Sequence, residues 1–524
     1  MAAGGVAAAI AARRAFGKNP AKRPNVLFIA VDDWNDWVGR FGGNQAKTPN
    51  LDRLAKRGTS FRYAHANATY CAPSRTSLMT GRQPHTTGFY HDEPHFVKEN
   101  SPELVDLPAC FRKNGYYVAG GGKLYHHMPG FIDMRGWDEY FHWNPACKKR
   151  GWGLDSWEAP APLPVRVPFS PVIQHMTGAE PIETATAAKR PKVDSHMEFG
   201  PLANEDEPKM ADTICTKWAA EFLGAKRDKP FFLGFGLYAP HKPNYAPQKY
   251  FDMYPLAKVK APKPHPGDLD DLGPETKKHF LRRKKRVHDH VVATKCRKRA
   301  VQGYLAALSY ADAMIGRVLD ALDAGPHADN TIIVLWSDNG YHLGEKFAWA
   351  KHTLWERTSN VPLLFAGPNV SRAAVVDTTV SLLDVYPTLT DLARLPANKD
   401  AEGISLAPVL CDPKSAKDRT VIQTAGPGEF SMINQSWRYI HHASGEEELY
   451  DLKADPDEHH NLAGKPGSAK VLTDFRTRSP KEFAKQGMGI HAGNLRPRFK
   501  GERFEWRPWS RPKKRKKKGG AHKR

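Results

Sequence analysis

Asn25-Val26-Leu27-Phe28-Ile29-Ala30-Val31, followed at once by Asp32-Asp33-Trp34, is the stretch that decides the fold. Six apolar residues in a row, with no polar alternation, describe a strand covered on both faces, the pattern of a parallel sheet with helices above and below. The two aspartates then fall at the carboxyl end of the strand, where open α/β sheets collect their ligands. Further on, Thr331-Ile332-Ile333-Val334-Leu335-Trp336 runs into Ser337-Asp338-Asn339-Gly340 in the same way. A single acidic pair at such a place is more often a cap at a strand–helix turn. Two pairs delivered to one sheet edge could converge on one hard divalent cation, and carboxylate and amide oxygens suit Ca²⁺ or Mg²⁺ rather than zinc.

Between these strands lies Cys71-Ala72-Pro73-Ser74-Arg75, continuing as Thr76-Ser77-Leu78-Met79-Thr80-Gly81-Arg82. Proline is favoured in the first turn of a helix, so Cys71 is predicted at or just before a helix N-terminus, where free N–H groups and the dipole favour an anion. A lone cysteine is usually buried or incidental, and only the company it keeps raises it above that. Gly120-Gly121-Gly122 leads into Lys123-Leu124-Tyr125-His126, a cation and a proton carrier three residues apart. His241 stands between Pro240 and Pro243 in Ala239-Pro240-His241-Lys242-Pro243, restrained on both sides. Each of these segments, alone, also reads as an ordinary turn.

The rest of the chain alternates helical and strand patterns. Thr48–Ala55 reads as a turn leading into an amphipathic helix, followed by a helix and strand over 103–119, a helix near Asp212–Gly224 and a strand at Phe231–Leu237. A long helix follows from Gln302 to Leu322 and another from Thr379 to Ala393. The expected fold is α/β, a large central mostly parallel mixed sheet flanked by helices, with a smaller C-terminal α+β domain carrying an antiparallel sheet with strands near Trp437–Ile440 and Glu448–Leu452. The domain reading is a leader or signal remnant over 1–22, a catalytic domain over 23–396 with a basic insertion at 256–299, a C-terminal subdomain over 397–484 and a basic, poorly ordered tail over 485–524. Residues 150–210 are expected to form a long surface excursion. Asn67-Ala68-Thr69 is a glycosylation sequon, taken as incidental beside Cys71.

The 524 residues carry a net charge of +22, which invites a nucleic-acid reading. Residues 277–299 contribute +10 and residues 511–524 contribute +9, so the remainder is nearly neutral and the basicity is local. A solvated, partly helical loop is the plain expectation for such a run, and a polyanion-docking surface the functional one. The six cysteines show no C-x-x-C spacing, which leaves zinc ribbons and thioredoxin chemistry unsupported. No stretch is long enough to span a bilayer. Ala2–Ala12 is small and apolar and precedes Arg13-Arg14, without the basic n-region of a signal peptide.

Taken in order, Val31-Asp32-Asp33, Cys71 to Arg75, Gly122-Lys123 with His126, Pro240-His241, Ser337-Asp338-Asn339-Gly340 and Lys351 resemble the motifs of the formylglycine-dependent sulfatase family, of the alkaline-phosphatase-like superfamily. The resemblance runs from about Asn25 to Leu462. Within the family it is most similar to the iduronate-2-sulfatases, on Gly122-Lys123-Leu124-Tyr125-His126, Pro240-His241-Lys242-Pro243 and Gly344-Glu345 to Trp349-Ala350-Lys351. His127-Met128 before Pro129-Gly130, the 277–299 block and the basic tail depart from that group. The resemblance implies Ca²⁺, ahead of Mg²⁺, held by Asp32, Asp33, Asp338, Asn339 and a formylglycine made from Cys71 by a maturation enzyme. It also implies Lys123, Lys351 and Arg75 as neutralisers of sulfate oxygens, His241 as proton donor to the leaving alcohol and His126 as the base that deprotonates the second hydroxyl of the formylglycine hydrate.

The expected function is therefore removal of sulfate from a sulfated glycan by an exported enzyme (periplasmic, extracellular or lysosome-like), acting as a monomer without a specific nucleic-acid partner. A phosphate or phosphonate monoester hydrolase on the same fold is one alternative. A non-catalytic polyanion-binding protein that uses 277–299 and the tail is the other. An import signal at Lys513–Lys518 is compositional only.

Overall fold

The computed structural model describes residues 23–42, 45–95, 101–126, 133–141, 199–485, 495–500 and 503–508. The leader, the 511–524 run, Cys147, the His127–Gly130 departure and most of the 150–210 stretch lie outside them.

The first apolar run forms β1 (Asn25–Val31), every residue of which is buried. In chain order it is joined by β2 (Gly58–His65), β3 (Tyr117–Gly122), β4 (Glu139–Phe141), β5 (Phe231–Gly236), β6 (Thr331–Ser337), β7 (Leu363–Ala366) and β8 (Ala374–Ser381). They make one eight-stranded sheet in the order β8-β2-β7-β6-β1-β5-β3-β4. Strand β7 runs against both its neighbours and the other pairings are parallel, so the sheet is mixed but mostly parallel, as the buried runs require.

Alternate residues of β1 enter opposite cores. Leu27, Ile29 and Val31 pack with α1 (Pro49–Arg57), α4 (Ala211–Gly224) and the 28-residue α7 (Arg297–Ala324). Val26, Phe28 and Ala30 pack with α2 (Cys71–Thr80), α3 (Leu107–Lys113) and α8 (Val385–Leu392). Burial on both faces is what ties the strand pattern to a three-layer fold.

A separate antiparallel sheet, β9 (Val421–Gly426), β10 (Glu429–Ile433), β11 (Trp437–His441) and β12 (Glu447–Asp451), follows in sequential order. Phe430, Met432, Tyr439 and Leu449 on one of its faces are covered by Leu472 and Phe475 of α9 (Ala469–Arg478).

Four expectations need correction. The segment read as a helix from Thr379 begins as strand, because Thr379, Val380 and Ser381 pair with Tyr63, Ala64 and His65 of β2; the helix proper is α8. Phe199 and Leu202 are not on a surface excursion but buried in a short strand paired with Asn244–Pro247. The basic insertion is partly helical, as expected, with α5 (Pro274–Phe280) and α6 (Arg286–Ala293), but it is not wholly solvated, because Phe280, Val291 and Cys296 are buried and anchor it. Within the tail, Leu495–Lys500 pairs with Arg503–Pro508 as an antiparallel hairpin, where no order was expected.

Candidate active site

The site is assembled by register. Strands β1 and β6 are adjacent and parallel with Val31 opposite Ser337, so Asp32-Asp33 and Asp338-Asn339 leave the sheet side by side at the same edge. All four are fully buried. The Trp34 N–H donates to Ser337 Oγ at 2.9 Å and the Asp33 N–H to Asp338 Oδ1 at 3.1 Å, clamping the two exits together. Asp33 itself sits at φ 58°, a left-handed conformation uncommon for a residue with a side chain. Its carbonyl accepts from the Tyr304 hydroxyl at 2.7 Å and its Oδ1 from Asn339 Nδ2 at 2.7 Å, contacts that hold it there.

Cys71 is the first residue of α2, after Tyr70 in extended conformation, and Pro73 occupies the first turn, where its missing N–H has no intrahelical partner to lose. The whole helix is buried and ends on Gly81 at φ 72°. The Cys71 thiol points at the acid cluster and donates to Asp32 Oδ1 at 3.3 Å. Lys351 Nζ lies 2.8 Å from Cys71 Sγ and 2.5 Å from Asp33 Oδ1. Lys123 Nζ bonds Asp32 and reaches Sγ at 3.8 Å. Lys123 arrives there because β3 ends on Gly122 at φ 72°, where a Cβ would strike the Gly236 carbonyl oxygen.

Burial pushes the Cys71 thiol well above its ordinary range, and Asp32 and Asp338 add to this. Burial also pushes Asp33 up to about 6; Asp32 and Asp338 reinforce that shift and Lys351 opposes it. Asp32 goes the other way: Lys123, Lys351 and Arg75 together overcome its burial and hold it below the usual carboxylate range.

His241 reaches the cluster from beyond β5. Its Nδ1 hydrogen-bonds the Lys242 carbonyl at 2.6 Å, and its Nε2 lies 3.9 Å from Asp33 Oδ2. The loop that carries it hangs on Asp212 of α4, whose carboxylate accepts from the Tyr238 and Ala239 N–H groups at 3.0 and 2.9 Å. His126 Nε2 lies 3.9 Å from Asp92 Oδ1. Arg75 belongs to α2. It is fully buried, and all three guanidinium nitrogens are engaged by the chain: Nε by Asp338 Oδ2 at 2.8 Å, the others by the Val31, Lys123 and Leu124 carbonyls. Its charge faces Asp32 at 3.5 Å and Asp338 at 2.8 Å.

Ligand atoms of Asp32, Asp33, Cys71 and Asp338 lie within 4.8 Å of one another. Asp33 Oδ2 and Asn339 Oδ1 are buried without a hydrogen-bond partner. Orphaned oxygens in a crowded carboxylate cluster are what a hard cation would satisfy, so the donor set fits Ca²⁺ or Mg²⁺.

Sequence motifs did not point to Asp212 or to the residues outside Cys71 and Lys351. Tyr70 and His352, their immediate neighbours, lie 4.8 Å apart between ring centroids, tilted by 39°, and line a cavity of about 850 Å³. His91, His279 and His442 also line it, with Glu275 from the basic insertion and Glu429 from β10. Adjacency to the motif residues was the available signal. Asn67, the sequon residue, is fully buried and bonded to Ser381, which removes it as a surface acceptor.

The profile described as "Sulfatase" matches residues 24–395, most of the chain. The chain belongs to the sulfatase family. A second profile, "N-sulphoglucosamine sulphohydrolase, C-terminal", matches residues 344–483. This sulfatase is 36% identical to a "Sulfatase" of Formosa agariphila over 84% of its own length and 83% of the relative's. It is 28% identical to a choline-sulfatase of Rhizobium meliloti (87% and 86% covered) and 29% identical to iduronate 2-sulfatase of Mus musculus (73% and 71%). Among solved structures it superposes on a 2-O GAG sulfatase with TM-score 0.63 at 22% identity (87% and 91% covered). The phosphonate monoester hydrolase of Agrobacterium radiobacter gives 0.67 at 19% (87% and 94%). Those structures share its fold. As a sulfatase the protein is a sulfuric ester hydrolase, and no helix among its described residues is long and apolar enough to cross a membrane.

Proposed function

We propose that this sulfatase removes sulfate from a sulfated glycan, through a formylglycine made from Cys71 and a divalent cation held by Asp32, Asp33, Asp338 and Asn339. The observation that carries the reading is the position of Cys71 Sγ, between Lys351 Nζ at 2.8 Å and Asp32 Oδ1 at 3.3 Å, at the start of a buried helix. Sγ marks where the hydrate oxygens of a formylglycine would sit, and the hydrate would supply the nucleophilic hydroxyl. The cation, when bound, would supply a Lewis acid for the sulfate oxygens.

The remaining work falls to the chain's own side chains. Three carboxylates (Asp32, Asp33, Asp338) face three fixed cations (Arg75, Lys123, Lys351), so the protein charges balance and a divalent cation leaves the site positive toward an anionic ester. Lys351 and Lys123 meet negative charge as it moves onto oxygen. His241 donates its Nδ1 proton to the Lys242 carbonyl, which leaves Nε2 as the titrating nitrogen beside Asp33 and the atom from which the leaving alcohol takes a proton. His126, turned toward Asp92, is the proposed base for the release of sulfate.

The cavity beyond Tyr70 and His352 supports a glycan substrate. Its size is that of a small-ligand site, and its aromatic and hydroxyl-bonding lining suits pyranose faces. Likeness to the mouse iduronate 2-sulfatase makes a 2-O-sulfated uronic acid at a chain end the first substrate to test.

The deciding experiment is mass analysis of the tryptic peptide Tyr63–Arg75 from protein made in its native host, paired with turnover of aryl sulfate, aryl phosphonate and sulfated disaccharides. An aldehyde or its hydrate at Cys71, with turnover of the sulfates that Cys71→Ala and Cys71→Ser both abolish, is expected. An unmodified thiol in a fully active enzyme would overturn the reading.

A further inference from the structure

Far from Cys71 in sequence, a second group of metal-binding side chains comes together. His265 and Asp268 belong to the segment that precedes α5, and His459 follows β12. One ligand atom from each lies within 4.8 Å of the others. They line a cavity of about 340 Å³ whose walls include Trp355, Lys346 and Glu458.

Asp268 is the informative member. It is only 2% exposed, and its Oδ1 accepts from His459 Nδ1 at 3.0 Å and from Lys346 Nζ at 3.1 Å. Its Oδ2 is buried with no hydrogen-bond partner. Burying a carboxylate oxygen without a partner is costly, so it points to something that completes it. The His265 ring stacks on His459 at 4.4 Å with an angle of 27°, and His265 is exposed, which leaves one side of the group open to solvent.

We propose that His265, Asp268 and His459 form a second divalent-metal site of the zinc class, separate from the oxygen cluster at Cys71. Two imidazole nitrogens and one carboxylate are the donors that Zn²⁺ and its neighbours Co²⁺ and Ni²⁺ select, whereas the Asp/Asn oxygens of the active site suit harder ions. His459 Nδ1 and Asp268 Oδ1 lie 3.0 Å apart, and an ion bound between them would take the place of the proton they share. Lys346 does not forbid an ion there. Five carboxylates (Asp268, Glu345, Glu356, Asp457, Glu458) line the cavity against Lys260, Lys263, Lys346 and Arg357, and Arg438 behind Glu356 and Glu458 brings the charges into balance. The Lys346 ammonium is also shared with the rings of Trp355 and Tyr450, at 4.9 and 5.4 Å. The ion would pin the insertion segment to the loop after β12, stabilising the native state by mass action.

The test uses the full chain, stripped with chelator and then held in excess Ca²⁺ so that the oxygen cluster is occupied. Co²⁺ is titrated in, its visible absorption is read for nitrogen ligation, and Zn²⁺ is then added to displace it. One equivalent of Co²⁺ per chain, displaced by Zn²⁺, and a Zn²⁺-dependent rise in Tm are expected. His265→Ala, a change at an exposed side chain, and Asp268→Asn should each weaken Zn²⁺ binding by at least about tenfold and remove the rise in Tm. Absence of nitrogen-ligated Co²⁺ in the wild-type chain would overturn the site. So would binding as tight as wild type in either variant, which would mark the ion as adventitious.

Discussion

Arg75 Nε donates to Asp338 Oδ2 across 2.8 Å, and neither side chain is exposed at all. An arginine four residues after the cysteine and an aspartate at the end of β6, 263 residues apart in sequence, thus form a single buried pair. The pair fixes the carboxylate of Asp338 against the N-terminal turn of α2, where Ser74 Oγ also donates to the Asp338 carbonyl at 2.6 Å.

Removing one partner leaves the other charge buried and unpaired. Arg75→Ala is expected to lower stability by about 3–5 kcal/mol. Arg75→Lys keeps the charge but cannot reach the carbonyls of Val31, Lys123 and Leu124 together with Asp338, and should retain the fold with reduced turnover. Urea midpoints and aryl sulfate kinetics of the two variants distinguish these effects; an Arg75→Ala midpoint equal to wild type would refute the structural role.

Asp212 acts on His241 through the backbone of Tyr238 and Ala239. Asp212→Ala leaves those N–H groups without their acceptor, and should reduce kcat by about 10–100-fold while KM changes little. A shift in the basic or acidic limb of the pH–kcat profile would report that His241 has moved, which a purely structural loss would not produce.

Chelation should abolish turnover and lower Tm, with recovery on adding Ca²⁺ or Mg²⁺, because Asp33 Oδ2 and Asn339 Oδ1 then lose the ion proposed to satisfy them. Differential scanning calorimetry with and without chelator measures this. An unchanged Tm together with full activity would exclude the cation.

His65 is buried against Ser359 and Glu356, and burial pushes its pKa from 6.5 down to about 4. The unfolded chain therefore takes up a proton below pH 6.5 that the native fold refuses until about pH 4. This contribution is intact above pH 6.5 and declines as pH falls from 6.5 to 4, by about 3 kcal/mol at the most. His65→Gln should flatten that part of the stability profile measured by urea titration. A wild-type slope retained in the variant would assign the acid sensitivity elsewhere.

Much of the fold was legible because burial writes itself locally. The uninterrupted apolar runs of β1 and β6 could only be covered strands, and the acids that follow them could only lie at carboxyl ends. The helix from Ala211 to Gly224 and the long one from Arg297 to Ala324 showed their apolar faces in the same way. Thr379–Ser381 misled because its threonines and valine satisfy either pattern, and what settles them is pairing with Tyr63–His65, more than 300 residues away in sequence. In the hairpin, Leu495, Pro497 and Phe499 alternate with Arg496, Arg498 and Lys500, and Phe504 and Trp506 with Arg503, Glu505 and Arg507, so a two-residue period was present in a stretch whose charge and proline content suggested no order.

By itself the sequence determined the layered α/β architecture, the family motifs and the kinds of side chain available for chemistry, since these depend on residue type and near-neighbour spacing. Only the tertiary structure decided how they meet. The register of Val31 with Ser337 brings the two acidic pairs to one place, and the same packing turns Arg75 inward and hands the His241 loop to Asp212. Those outcomes are set by contacts between segments hundreds of residues apart, where sheet register and close packing, rather than local preference, select one arrangement.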